Sequence, residues 1–123
     1  MLRNMLKSKI HRAVVTDANL AYEGSLTVDR ELMEAADLLP FEQVMVYNIS
    51  TGERFETYVI EGERGSGHIC LNGAAARKGA RGDLVIVASY GGFTPEEIRH
   101  GASRLVWVDQ DNRIVKKEVV SWS

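Results

Sequence analysis

The sequence is poor in several features, and each shortage excludes a class of protein. Cys70 is the one cysteine among 123 residues, so the chain cannot form an internal disulfide or a multi-cysteine zinc site. The longest apolar run, residues 84–88, is far shorter than the roughly 20 residues of a membrane-spanning helix. No apolar stretch follows the basic N-terminal residues, as it would in a secretory signal. We therefore expect a cytoplasmic protein with no membrane partner.

Excess charge and linker-like segments are missing as well. The net charge is -2, whereas proteins that mainly bind nucleic acid are usually basic, so no nucleic-acid partner is expected. No repeat and no proline- or serine-rich linker divides the chain. Because 45% of the residues are hydrophobic, the chain can bury an ordinary core. These features predict a single domain over residues 1–123.

Short alternating runs separated by turn signals predict a mainly β fold. We expect extended segments at residues 6–15, 22–27, 41–49, 54–61, 68–71, 84–89, 104–109 and 113–120. A helix is expected after the N-cap Asp29, with its apolar positions recurring to Leu39 and Pro40 ending it. A capping box beginning at Thr94 predicts a second helix over residues 95–100. Short strands with two or three small helices favour a compact, closed or nearly closed β-barrel.

Three groups of residues are candidate binding sites, and each has a simpler interpretation. His68 and Cys70 could face one side of a strand, but no third ligand follows, so no metal is expected. The basic residues between Lys7 and His11 could bind an anion, although lysines on an edge strand more often discourage unwanted pairing. The small residues at 73–76 could let an anion approach the backbone, or form a tight turn into a short helix.

The dipeptide Gly24-Ser25 could support a reaction of the backbone with itself. A serine hydroxyl is a poor nucleophile unless geometry or a base activates it. Glycine before it permits unusual dihedral angles and leaves its carbonyl accessible, which suits an N-to-O acyl shift. The signal is weak by itself, because Gly65-Ser66 is a second such pair with no such implication.

Taken together, several blocks resemble the pyruvoyl-dependent aspartate 1-decarboxylases. The resemblance is strongest over residues 1–90 and looser from Gly91 onward. It lies in Lys9-Ile10-His11-Arg12, Tyr22-Glu23-Gly24-Ser25, Arg54-Phe55-Glu56-Thr57-Tyr58, Glu63-Arg64-Gly65-Ser66, and Asn72-Gly73-Ala74-Ala75-Ala76 with Gly82-Asp83.

This resemblance implies a double-psi β-barrel assembled as a homotetramer, with active sites shared between subunits. It also implies an inactive proenzyme, or zymogen, that cleaves itself between Gly24 and Ser25. The products would be a β chain, residues 1–24, and an α chain, residues 25–123. The α chain would begin with a pyruvoyl group made from Ser25, so no metal and no bound organic cofactor would be needed. Whether maturation is spontaneous or needs a helper protein is left open.

The same resemblance implies a lyase that converts L-aspartate to β-alanine and carbon dioxide in pantothenate biosynthesis. The pyruvoyl ketone at position 25 would form a Schiff base with the substrate amine, and its electron-sink chemistry is like that of pyridoxal phosphate. Tyr58 corresponds to the proton donor, and a phenol holds its proton at neutral pH as a general acid must. Lys9 and Arg54 would bind the two substrate carboxylates. Which cation takes which carboxylate is not decided by the sequence.

Five further positions follow from the resemblance. Thr57 and Asn72 correspond to residues involved in processing, and Thr57 also to a ligand contact. The turn Gly73, Ala74 and Ala75 corresponds to a substrate-binding segment. Strand alternation places Arg54 and Tyr58 on one face and Thr57 on the other.

The sequence departs from the family pattern in two places. Tyr47 stands where relatives often have tryptophan, and residues 78–81 lack the usual proline. We expect these departures to bear on local packing and substrate fit and to leave the reaction class unchanged. The second hypothesis is a non-catalytic β-barrel module that binds an anion near Lys9 and residues 73–76. A weaker one is a family member that does not mature or that acts on another amino acid.

Overall fold

The computed structural model describes all residues from 1 to 123 and is mainly β, as the sequence predicts. It has nine strands, one 3₁₀ helix and two short α-helices. The strands are β1 Arg3–Val14, β2 Asp17–Asn19, β3 Ser25–Asp29, β4 Gln43–Asn48, β5 Arg54–Gly62, β6 Ile69–Asn72, β7 Leu84–Phe93, β8 Ala102–Val108 and β9 Ile114–Ser121. The helices are α1 Arg30–Ala35, the 3₁₀ helix Gly73–Lys78 and α2 Pro95–His100. No helix is both long and apolar enough to cross a membrane.

The sheet returns on itself through the first segment of the chain. Its strand order is β2-β6-β3-β5-β4-β7-β1-β8-β9. Strands β1 and β2 are successive parts of one segment, joined by Val15 and Thr16. Because β1 pairs with β7 while β2 pairs with β6, this segment joins the two sides of the sheet. The result is consistent with the predicted small β-barrel, with the β8–β9 hairpin extending beyond the ring.

The core fills the inside of this ring, and strand alternation separates it from the outer face. Ile10, Val87 and Val46 lie opposite one another on β1, β7 and β4, and each is at most 1% exposed. The neighbouring cross-strand row contains Lys9 and Met45, which alternation directs to the outer face. Charged side chains on these strands therefore lie outside the barrel.

The first helix is shorter than its apolar spacing suggests. Asp29 caps it as predicted, accepting a hydrogen bond from the Glu31 amide, but the helix ends at Ala35 and does not reach Leu39. Asp37 adopts a left-handed conformation with φ of 55°. The Leu38 amide then donates to the Met33 carbonyl, which is the closing bond of a Schellman motif. The expected extension was wrong because this turn sends Leu38 into the core.

Other segments agree with the sequence in kind and differ in their limits. The capping box at Thr94 and the helix after it are confirmed, as is the β8–β9 hairpin. In the expected extended segment 22–27, only residues from Ser25 onward form a strand, and β2 was not anticipated. Three-residue strands such as β2 are too short to produce a readable alternation.

Asp29 connects the end of β3, the strand that begins at Ser25, to the loop before β6. The residue is 2% exposed, and its carboxylate accepts hydrogen bonds from the amides of Glu31, Gly65 and Gly67 at 2.8–2.9 Å. Burial alone would raise the pKa of Asp29. The hydrogen bonds from Gly67, Glu31 and Gly65 outweigh burial and hold that pKa below its usual value. The charged carboxylate is therefore the form that stabilises the fold.

We expect Asp29→Ala to lower the free energy of unfolding by about 3 kcal/mol, because three backbone amides, one of them buried, lose their acceptor. The pKa of Asp29 is lower in the folded protein than in the unfolded chain, where it is about 4. The stabilisation by this carboxylate is therefore fully present above pH 4, roughly, and is lost as the pH falls through the folded-state pKa. Asp29→Asn should remove this part of the acid sensitivity. Urea unfolding at pH 7 and at pH 3 measures both effects. Asp111→Asn, at an exposed position, is the control. If the difference in free energy of unfolding between wild type and Asp29→Asn were the same at pH 7 and at pH 3, the prediction would be contradicted.

Candidate active site

A cavity of about 560 Å³ opens beside the N-terminal end of β3. Residues of β2, β3, β5, β6 and the turns around them form its wall. They are Asp17, Asn19, Tyr22, Glu23, Ser25, Thr27, Phe41, Tyr58, Ile60, Cys70 and Asn72. The cavity thus brings Ser25, Tyr58 and Asn72, three of the residues singled out in the sequence, to one place.

The Ser25 hydroxyl is buried and held in a fixed position. Ser25 is 3% exposed and lies directly opposite Asn72 in the antiparallel β3–β6 pair. The Asn72 side-chain amide donates to Ser25 Oγ at 3.0 Å and to Thr27 Oγ1 at 2.8 Å. Ser25 Oγ is itself 3.4 Å from the Glu23 carbonyl oxygen, to which it donates. The hydroxyl is therefore oriented back along the chain that precedes it.

Gly73 allows the 3₁₀ helix to pack directly against the backbone before Ser25. Gly73 has φ of +60°, and a Cβ placed on it would lie 2.5 Å from the Gly24 nitrogen and 2.7 Å from the Tyr22 carbonyl oxygen. No side chain fits in that space. A Cβ on Gly24 would meet nothing closer than the Ala74 nitrogen at 3.9 Å. The steric need for glycine at this contact therefore falls on position 73.

The other residues of this turn have different surroundings. Ala74 is exposed, with its backbone nitrogen toward Gly24. Ala75 is 7% exposed and belongs to the hydrophobic core cluster. Within one chain, only the first part of the predicted substrate-binding turn approaches the segment around Ser25.

Tyr58 enters the cavity from β5 and is partly covered by Phe41. The two ring centroids are 6.1 Å apart with an interplanar angle of 29°. Phe41 is 76% exposed and has φ of 71°, a conformation that a bulky side chain rarely adopts. Its amide donates to the Val59 carbonyl at 2.7 Å. The strained backbone therefore places an aromatic ring at the wall of the cavity beside Tyr58.

We expect Phe41→Asn to raise the free energy of unfolding by about 1 kcal/mol, because asparagine tolerates the left-handed conformation better. Phe41→Leu is the matched control, since it removes the ring and keeps the strain. Urea unfolding of the two variants makes the comparison. Equal destabilisation by both substitutions would show that the ring contact outweighs the backbone strain.

Lys9, Arg54 and Thr57 do not line this cavity within one chain. Lys9 is paired with Ala88 and with Leu105 on the two neighbours of β1. Arg54 lies opposite Tyr47 on the β4–β5 pair, and Thr57 lies opposite the buried Val44. The alternation that separates Thr57 from Arg54 and Tyr58 in the sequence is therefore present in the strand.

The charges that line the cavity are acidic. Asp17 and Glu23 contribute carboxylates, and no lysine or arginine is among the lining residues. The described residues contain no cluster of His, Cys, Asp or Glu that could hold a metal. A dianionic substrate would thus meet hydrogen-bond donors and an apolar wall in one chain, but no cation.

Several lining residues were missed in the sequence. Thr27 lies two residues after Ser25, and Ile60 two residues after Tyr58, so alternation alone would have placed each pair on one face. Cys70 lies opposite Thr27 in the β3–β6 pair. Phe41 and Asp17 had no comparable signal, because their positions depend on a strained turn and on β2.

The comparisons with known proteins point to one family. The family model described as aspartate decarboxylase matches residues 1–115. This match extends beyond residues 1–90, where the resemblance seen in the sequence is strongest. A protein of Syntrophus aciditrophicus named aspartate 1-decarboxylase is 63% identical over 114 residues, 93% of this chain and 98% of the relative. Two further relatives have the same name. The one from Syntrophobacter fumaroxidans is 60% identical over 92% of this chain and 91% of the relative. The one from Thermoanaerobacter pseudethanolicus is 56% identical over 94% of this chain and 98% of the relative. The chain belongs to the aspartate decarboxylase family.

Proposed function

We propose that this chain is a self-processing proenzyme that becomes a pyruvoyl-dependent carboxy-lyase in the cytoplasm. It converts L-aspartate to β-alanine and carbon dioxide, a step of pantothenate biosynthesis. Family membership supports the reaction. The single structural observation that carries it is the buried Ser25 hydroxyl, hydrogen-bonded to Asn72 at the wall of a cavity that Tyr58 also lines.

Processing begins at Gly24-Ser25. Ser25 Oγ attacks the Gly24 carbonyl carbon, and the peptide C–N bond is exchanged for an ester. Elimination then releases Gly24 as a carboxylate and leaves a dehydroalanine, which one water molecule converts to a ketone with loss of ammonia. Asn72 positions Ser25 Oγ through its hydrogen bond, and we assign Thr57 a supporting role in the same process. The products are residues 1–24 and residues 25–123.

The surroundings of residue 25 fit a pyruvoyl group. The position is buried, opens into a cavity, and has the Asn72 side-chain amide within hydrogen-bond distance of the Ser25 oxygen. Such a group supplies a ketone that binds an amine and accepts the electrons released when carbon dioxide leaves. The residues of the chain must then bind the substrate, exclude water and deliver a proton.

Tyr58 is the proposed proton donor. Its phenol lines the cavity that contains Ser25, and Phe41 covers part of its ring. A phenol can hold a proton at neutral pH and give it to a carbon that has lost its carboxylate. The Phe41 ring limits the access of water to one side of Tyr58, which favours transfer from the phenol.

Lys9 and Arg54 are the proposed ligands of the two substrate carboxylates, and Gly73, Ala74, Ala75 and Thr57 the proposed remaining contacts. The cavity beside Ser25 has acidic residues and no cation. Lys9 and Arg54 lie outside it. A second copy of the chain could bring its cations to the cavity, so we propose a homotetramer with sites shared between subunits. The acidic lining also disfavours an anion-binding module made of one chain.

The first test is the intact mass of the purified protein under denaturing conditions. Two fragments divided between Gly24 and Ser25, with a ketone replacing the amine of the larger one, are expected. The mature protein should then release β-alanine from L-aspartate. A single uncut mass that persists after long warm incubation of the protein alone would contradict spontaneous processing. Repeating the incubation in a cell extract would then reveal a helper protein.

Shared sites can be tested by mixing two defective chains. We expect Ser25→Ala and Arg54→Ala to be inactive separately and to regain activity when the two chains are produced together. A mixed oligomer contains sites with Ser25 from one chain and Arg54 from another. If no activity returns although mixed oligomers form, the two residues act within the same chain.

A further inference from the structure

Three adjacent strands bring an arginine and two tyrosines together on the outer face of the barrel. Arg54 on β5 lies directly opposite Tyr47 on β4, and Tyr47 lies opposite Ile86 on β7. Tyr90 is an even number of residues beyond Ile86, so alternation directs it to the same face. The two tyrosines reach toward each other along this face.

The Arg54 guanidinium is ordered by an aromatic ring and is not neutralised. Its Cζ lies 4.0 Å from the centroid of the Tyr47 ring. Arg30, Arg64 and Arg99 each form a salt bridge with a glutamate, whereas Arg54 forms none within the chain. A guanidinium stacked on a ring keeps its N–H groups at the edge of its plane, where a planar carboxylate can accept two of them.

The Tyr47 ring is in turn held by Tyr90. The two hydroxyl oxygens are 3.0 Å apart and share a hydrogen bond. That bond is the main reason why the pKa of Tyr90 is raised above its usual value, and partial burial adds to it. Tyr90 therefore keeps its proton at neutral pH and stays paired with Tyr47. Tyr90 is 46% exposed, so its own packing explains little of its position.

We propose that Tyr90 is a positioning residue for substrate binding, because its hydrogen bond with Tyr47 fixes the ring that orients the Arg54 guanidinium. The proposal rests on the proposed role of Arg54 as a carboxylate ligand. Tyr90 does not touch the substrate. It acts two contacts away, through the Tyr47 ring, on the direction in which the Arg54 N–H groups point.

Substitutions at the two hydroxyls test this directly. Tyr90→Phe and Tyr47→Phe each remove one hydroxyl and keep the ring. Each is expected to raise KM for L-aspartate about fivefold, the value of one hydrogen bond, with little change in kcat. The double variant should show no further increase, because either single substitution already breaks the bond. Lys116→Ala, which removes the cation from the separate pair with Trp107, should leave KM unchanged.

A binding measurement separates this inference from the proposed reaction. Succinate carries two carboxylates and no amine, so its affinity for uncut Ser25→Ala protein can be measured by calorimetry without turnover. In this background Arg54→Ala should abolish binding, and Tyr90→Phe should weaken it about fivefold. Unchanged succinate affinity in Tyr90→Phe, or KM effects of the two single variants that multiply, would overturn the inference. An inactive wild-type protein would contradict the proposed function and leave the succinate result to decide the role of Tyr90.

Discussion

Ser25→Ala is expected to yield one uncut chain of 123 residues that makes no β-alanine. The substitution removes the only atom that can attack the Gly24 carbonyl from this side chain. It also removes one acceptor of the Asn72 amide, which keeps its hydrogen bond to Thr27. The loss of stability should therefore be small, about 1 kcal/mol. Intact mass, a β-alanine assay and thermal unfolding together measure these outcomes.

The chain offers its own control for this experiment. Ser66 also follows a glycine, but its hydroxyl accepts a hydrogen bond from the His68 amide in a turn outside the cavity. Ser66→Ala should be cut and active like wild type. If Ser25→Ala still produced β-alanine, a pyruvoyl group made from Ser25 could not be the source of activity. If Ser66→Ala also blocked cleavage, general damage to the fold would explain both results.

Gly73→Ala is expected to slow cleavage by about a hundredfold, the effect of displacing reacting groups by about 1 Å. The new Cβ would lie 2.5 Å from the Gly24 nitrogen, and its nearest neighbours are all backbone atoms that cannot rotate away. Relief requires the cleavage segment or the 3₁₀ helix to move. Either movement changes the geometry between Ser25 Oγ and the Gly24 carbonyl. The rate at which the uncut band disappears after synthesis is the measurement.

Gly52→Ala is the control that separates the steric clash expected at position 73 from the strain of a left-handed backbone. Gly52 has φ of +82°, yet a Cβ there meets nothing within 4 Å. Its alanine variant should lose about 1 kcal/mol of stability and cleave at the wild-type rate. Cleavage of Gly73→Ala at the wild-type rate would mean that the segment can shift without affecting the reaction. Comparable slowing in both variants would attribute the effect to lost stability.

Local signals in the sequence predicted those features that depend on neighbouring residues. The capping box at Thr94, the N-cap Asp29 and the final hairpin each require only a few consecutive positions, and all three are present. The end of α1 was missed because an aspartate took the left-handed position that usually belongs to glycine. Apolar spacing cannot reveal such a turn, because it placed Leu39 on the buried face of a longer helix, whereas the turn buries Leu38 and leaves Leu39 exposed.

The candidate site was less predictable, because it depends on contacts between distant segments. Ser25 meets Asn72 through the pairing of β3 with β6, and Tyr58 reaches them from β5. The family resemblance supplied these residues, but not their arrangement. Strand alternation did separate Thr57 from Arg54 and Tyr58. It could not show that Lys9 and Arg54 lie outside the cavity, which depends on how the whole sheet curves.

The position of β1 within the sheet has a consequence for the processed protein. Cleavage after Gly24 would place β1 and β2 on a separate peptide, yet β1 lies between β7 and β8. The peptide would remain as an integral strand with no covalent link to the rest. Unfolding would then release two molecules, so the melting temperature of the cut form would depend on protein concentration. Refolding after dilution would require the two pieces to find each other, a bimolecular step that the uncut chain avoids.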